Sequence, residues 1–143
     1  MIATRQEQEI QRIESQTEDD LIADVKNLSR RLNISAIVTY WEMGKRINSF
    51  YKGKYGNKEL QGIAERTDVG SDTLTKACKF ARQYSEEQLQ DLIHGNFQLS
   101  WFQIAQNLSV EPQKLIGVYR EVHNPSEFHN GIMNLKNPGE TRG

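Results

Sequence analysis

Proline is missing from most of this 143-residue chain and occurs only at positions 112, 125 and 138. Nothing before position 112 therefore breaks a helix by removing an amide donor, so long helices are available to most of the sequence. Cysteine is almost as scarce: Cys78 stands alone, which excludes an internal disulfide and agrees with a reducing compartment. No apolar run approaches the roughly 20 residues that a membrane-spanning helix needs. Met1 is followed by polar residues and not by the apolar stretch of a signal peptide. The expectation is a cytoplasmic protein with no membrane association.

The usual catalytic signatures are also missing. There is no glycine-rich phosphate loop, no nucleophile elbow and no pair of carboxylates on a strand scaffold. His94, His123 and His129 have no cysteine or carboxylate cluster at ligand spacing, so they read as surface or cap residues, with no metal expected. A non-enzyme without a cofactor is the expectation. Glu42 is the one acid of the basic middle segment, and it reads as a structural partner for Lys45 or Arg46.

The net charge of −1 lacks the global excess of lysine and arginine that marks many nucleic-acid binders, but its distribution is uneven. Residues 1–24 carry two basic and seven acidic side chains, a net −5, whereas residues 25–58 carry eight basic ones against Glu42 alone, a net +7. Residues 59–84 balance, and the remainder is net −3. The basic middle includes Lys45, Lys52, Lys54 and Lys58 and leads directly into "LQGIAERTDVGSDTLTKACKFARQY", residues 60–84. A lysine-rich solvated helix face is the plain alternative to a binding surface there.

What is present is helical periodicity, and the fold class it predicts is all-α: a helical bundle with a long N-terminal helical segment. Thr17 followed by Asp20 has the spacing of a capping box, and Leu21, Val25, Leu28 and Leu32 recur at helical steps, which predicts a helix over 18–32. Ile10 and Ile13 extend this stripe into an earlier helix over 4–15. Ile37, Tyr40, Trp41, Gly44, Ile47 and Tyr51 define a further helix over 35–51, in which Gly44 costs roughly 1 kcal/mol relative to alanine and so points to close approach by another backbone. "GKYG" ends that helix. Ser85 starts a short helix that Gly95 and Asn96 stop, two more follow with a break around Val110 to Pro112, and one weak turn is expected over 128–135. Trp41 and Trp101 read as core anchors, and Cys78 as an inert core thiol beside Leu74 and Ala81.

Residues 60–84 have the pattern of a helix-turn-helix. Ala64 is the small residue at the helix crossing, "DVG" the turn with Val69 inward, and Leu74, Ala77, Cys78 and Ala81 the inner face of the second helix. Asp68 stands where glycine is commoner, and Ser71 is the expected cap. Outward residues are Asp72, Thr73, Thr75, Lys76, Lys79, Arg82 and Gln83, polar and net positive, as a major groove requires. Ser71, Thr73, Thr75, Lys76, Lys79, Arg82 and Gln83, with Lys45, Lys52, Lys54 and Lys58, are the candidate DNA-binding residues. The same skeleton returns later in the chain as Ala105, Val110, Leu115 and Val118, a candidate second helix-turn-helix-like unit. Its outward face, where Gln113, Lys114 and Arg120 are offset by Glu111 and Glu121, assigns it a structural role.

"YWEMGKRI", "KYGNKELQGIAE", "KFARQYSEEQ" and "QLSWFQI" occur in an order and spacing that resembles the N-terminal domain of the YhcG-like bacterial proteins, over about residues 18–122. The resemblance implies a helix-turn-helix DNA-binding module, which in that family precedes a PD-(D/E)xK-type nuclease domain absent from this chain. It also places Tyr40, Trp41, Glu42 and Gly44 in a signature helix and Leu99, Ser100 and Trp101 in a second motif. The expected organisation is an acidic helical extension over 1–17, a helical domain over 18–122 and a partly disordered tail over 123–143. Double-stranded DNA is the expected partner, bound by a regulator or accessory factor of a mobile element. The alternative is a helical adaptor that docks on a protein such as a nuclease or polymerase. The apolar stripe at the N-terminus is expected to pair with its own copy in a homodimer.

Overall fold

The structure, a computed structural model, describes residues 4–8 and 17–137. It is all-α, with no strand among the described residues. After a helical turn over 5–8, the helices are α1 (Glu18–Tyr51), α2 (Asn57–Glu65), α3 (Ser71–Gln83), α4 (Glu86–Ile93), α5 (Trp101–Ala105), α6 (Pro112–Glu121) and α7 (Pro125–Lys136). Packing divides the chain into two units, Met1–Leu32 and Asn33–Gly143. Ile10, Ile13, most of the helix expected over 4–15 and the tail over 138–143 lie outside the described residues.

In the first unit, Thr17 and Asp20 form the expected reciprocal cap: the Asp20 amide donates to Thr17 Oγ1 at 3.2 Å and the Thr17 amide to Asp20 Oδ2 at 3.3 Å. The helix that starts there does not end at 32, and the two helices expected over 18–32 and 35–51 are one. No glycine or proline separates them. What suggested a boundary is a change of phase in the apolar pattern, by roughly half a turn, between Leu21, Val25, Leu28 and Leu32 and the set that begins at Ile34 and Ile37.

The second unit is a helical bundle built on the contact of α1 with α3. Gly44 lies against the backbone of α3, and a Cβ added there would collide with the Ala77 carbonyl and come within 2.9 Å of the Ala81 Cβ. The glycine predicted to admit a second backbone does so. One turn to its N-terminal side, Trp41 is 7% exposed and its Nε1 donates to the Tyr84 carbonyl at 2.8 Å. One turn to the other side, Asn48 Nδ2 donates to the Cys78 carbonyl at 3.1 Å. Three successive turns of α1 thus meet the backbone of the helix-turn-helix.

The remaining helices form the main core under Trp41. Phe80, Tyr84, Leu92, Leu99, Ile104, Leu115, Tyr119 and Phe128 are all buried there. Trp101 stacks on Tyr40 at a centroid distance of 4.6 Å and lies 5.3 Å from Phe80, so both tryptophans act as core anchors. Ser85 and Ser100 cap α4 and α5, each accepting from the amide three residues on, Gln88 and Gln103. Residues 125–136, expected to hold only a weak turn, form α7. Asn124 caps it by accepting from the Glu127 amide at 2.9 Å, Pro125 opens it, and Phe128 and Ile132 are buried beneath it.

Close backbone approach at Gly44 makes this position intolerant of a methyl group. Gly44→Ala is expected to destabilise the protein by about 2–3 kcal/mol through overpacking. Gly117→Ala, in a helix with open space around the added carbon, should instead stabilise it by about 0.5–1 kcal/mol. Chemical denaturation of the two variants reads both signs, and equal effects would remove the Gly44 contact from its central place.

Candidate nucleic-acid interface

Helix α2 starts after a turn in which Lys52 and Gly53 take left-handed φ values of 55° and 74°, so "GKYG" does end α1. The Glu59 carboxylate reaches back to accept from the Gly56 amide at 2.9 Å, and that bond holds its pKa below the ordinary value. Helices α2 and α3 then pack around a small second core of Leu60, Leu74 and Cys78, with Val69 of the turn, Ile63 and Ala64 half-buried against it. This is the predicted helix-turn-helix pairing. Two local details differ. Gly70, not Ser71, is the N-cap of α3, and Ser71 is its first helical residue. Asp68 carries no left-handed strain, because Lys52 is the sole non-glycine residue with positive φ among the described residues; the turn has length enough to need none.

Helix α3 is covered through Leu74, Ala77, Cys78, Phe80 and Ala81. The opposite arc carries Asp72, Thr75, Lys76, Lys79 and Arg82, all exposed, at the spacing of one helix face. Thr73 is half-buried. Gln83, expected outward, is half-buried as well, and its Oε1 is buried without a hydrogen-bond partner among the described residues. The Thr75 hydroxyl donates back to the Ser71 carbonyl at 2.9 Å. Between the first turns of α2 and α3, Asn57, Gln61, Ser71, Asp72 and Thr75 line a shallow polar concavity of about 310 Å³ over Leu60.

The three cations of α3 are held differently. Lys76 Nζ is 3.1 Å from Asp72 Oδ2, one turn back, on a side-chain pair exposed to 46% and 84%. Arg82 Nη1 donates to the Tyr55 hydroxyl at 2.7 Å, with its guanidinium over the Tyr55 ring. Lys79, between them, makes no such contact among the described residues. Of the preceding basic residues, Lys52 and Lys54 precede Tyr55 in the turn that meets Arg82, and Lys58 is exposed in the first turn of α2. Lys45 lies about 100° round α1 from Gly44, exposed at the edge of the face that meets α3, with its Nζ 4.9 Å from the centre of the Trp41 ring. The basic segment is therefore divided, with Lys45 at Trp41 and its C-terminal part at the turn that meets Arg82.

Sequence reasoning missed Tyr55 and Asn48. Tyr55 donates its hydroxyl hydrogen to Asn48 Oδ1 while accepting from Arg82, so one network ties α1, the turn and α3 together. The legible signal was Asn48, a polar residue one turn past Gly44 on a face otherwise apolar. The second copy of the pattern is also helix, turn and helix, and α6, which begins at Pro112, stands where the repeat of α3 falls. Its first helix, α5, has only five residues, and α6 packs on α4 and α7. Among the described residues no group of three histidine, cysteine or acidic side chains is placed to hold a metal ion, and no helix is long and apolar enough to cross a membrane. Comparison with protein-family models, with curated proteins and with solved structures returns no match.

Burial, reinforced by the neighbouring Cys78 and opposed by Arg82, pushes the Tyr55 phenol up to about 12. A phenol raised above its ordinary value of 10.0 contributes stability that is fully present below pH 10 and lost as pH rises toward about 12. Tyr55→Phe is expected to flatten the alkaline fall in melting temperature across that window. Burial raises Tyr84 in the same direction, so the measurement is the difference between wild type and variant; an unchanged fall assigns the effect to Tyr84.

Proposed function

We propose that the chain is a DNA-binding protein of the helix-turn-helix type, acting by occupying DNA and not by cleaving it. The observation that carries this reading is the two-sided construction of α3, one arc packed on α1, α2 and the main core, the other presenting Thr75, Lys76, Lys79 and Arg82 to solvent. A groove-reading helix needs that division, because the buried arc fixes orientation and the free arc supplies contacts. The exposure of Lys52, Lys54 and Lys58 supports phosphate contacts beside it. The motifs "YWEMGKRI" and "QLSWFQI" support assignment to the YhcG-like N-terminal domains, and with Tyr40 stacked on Trp101 they help to build the core that carries α3. A cytoplasmic regulator or accessory factor of a mobile element is the role that follows from that assignment.

A second reading, a helical adaptor for a nuclease or polymerase, is favoured by one observation. Leu21, Ile22, Val25, Leu28 and Leu32 are 48–71% exposed on α1.

Fluorescence anisotropy with a labelled duplex across a salt series tests the DNA reading. Binding should weaken steeply with salt, and Lys76→Ala with Lys79→Ala should weaken it further and lower the salt slope by about one unit per lost contact. Asp72→Asn, which releases Lys76 and removes a negative charge, should tighten binding. No DNA affinity at low salt, with native melting, would replace this reading by the adaptor.

A further inference from the structure

The exposed stripe of α1 has a charge pattern beside it that specifies what covers it. Leu21, Val25, Leu28 and Leu32 follow steps of four, three and four, the a and d positions of a coiled-coil seam, and are 48%, 54%, 57% and 71% exposed. Residues 18–24 are acidic, with Glu18, Asp19, Asp20 and Asp24, and residues 26–31 are basic, with Lys26, Arg30 and Arg31. Two copies laid parallel and in register would set each block against itself. Two copies laid antiparallel set the acidic block of each beside the basic block of the other, with Asp24 and Arg31 on the edge of the seam where they meet.

We propose that this stripe binds a second copy of the chain in an antiparallel, two-fold symmetric pair. One register pairs all four seam positions: Leu21 packs on the second copy's Leu32 and Val25 on its Leu28, and symmetry repeats both contacts. In that register residues 18–24 of one copy run beside 29–35 of the other, which brings Asp24 of the acidic block to Arg31. The flanking positions of the seam agree, since Asp24 precedes Val25 as Arg31 precedes Leu32, and in an antiparallel pair these two positions meet across the interface. The seam covers only about 17 Å of helix, so apolar burial alone is modest and the charge pattern decides both the partner and its direction. An unrelated partner would need no such internal complementarity. The pairing stands apart from the DNA reading, since α3 takes no part in it.

Sedimentation equilibrium without DNA tests it. The chain is expected to approach twice its 16.5 kDa mass at micromolar concentration. Leu28→Glu should return it to a monomer with unchanged helical content, and Arg31→Glu, which sets Glu against Asp24 twice in the symmetric pair, should raise the dissociation constant at least about tenfold. Direction is read by oxidising Val25→Cys and Leu28→Cys proteins: mixed together they should cross-link as a heterodimer, whereas a parallel pair would link each variant to itself. A monomeric mass throughout, a dimer indifferent to Leu28→Glu, or self-linking alone would each overturn the proposal. The first of these would leave the stripe to a different protein.

Discussion

The contact of Gly44 with Ala77 is the constraint on which the second unit depends. A residue without a side chain lets α1 come within backbone distance of α3, and the groups on either side then reach main-chain carbonyls: Trp41 that of Tyr84, Asn48 that of Cys78. Buried polar groups are costly unless paired, so an indole and an amide fixed on carbonyls select one register between the helices. The same three turns decide which arc of α3 is covered and therefore which arc is left for solvent.

From this crossing the electrostatics of the surface follow. Arg82 and Lys76 do not wave freely in water. Tyr55 holds one by a hydrogen bond and ring contact, and Asp72 pairs with the other along the helix. An exposed pair such as Asp72 and Lys76 adds little stability, typically under about 1 kcal/mol, so its main effect is on the potential of the face it occupies. Tyr55 is better buried and more consequential, because it links Arg82 to Asn48 and hence to the crossing itself. The position of α3 and the setting of Arg82 depend on residues of α1 and of the turn, far from it in sequence, whereas Lys76 is paired within the helix.

Much of the architecture was legible in the sequence because it is local. Thr17 with Asp20, Ser85, the "GKYG" turn and the apolar steps of α2 and α3 each declare themselves within a few residues, and the glycine at 44 announced a close neighbour. Three features were not legible, each for a physical reason. The apolar pattern of α1 changes phase without a breaker, so periodicity suggested two helices where the backbone continues as one. Residues 124–136 read as tail because their apolar positions are sparse, although Asn124 and Pro125 are strong start signals and Phe128 and Ile132 suffice to anchor the helix. The network of Asn48, Tyr55 and Arg82 joins three separate stretches of chain, and no spacing rule links a tyrosine in a turn to an arginine on the next helix but one. For the candidate interface, the outward residues of α3 were largely readable from periodicity, whereas the separation of Lys45 from that face required knowing where Gly44 points.

Cys78 gives the small core between α2 and α3 a property of its own. Its side chain is 1% exposed, beneath Leu60 and Leu74, and it is the chain's single thiol. A thiol reagent can reach it only when the small core that Ile47, Tyr55, Leu60 and Leu74 build around it opens, so the labelling rate counts those openings. The motif thus carries its own reporter of opening, and no residue need be introduced into the protein to read it.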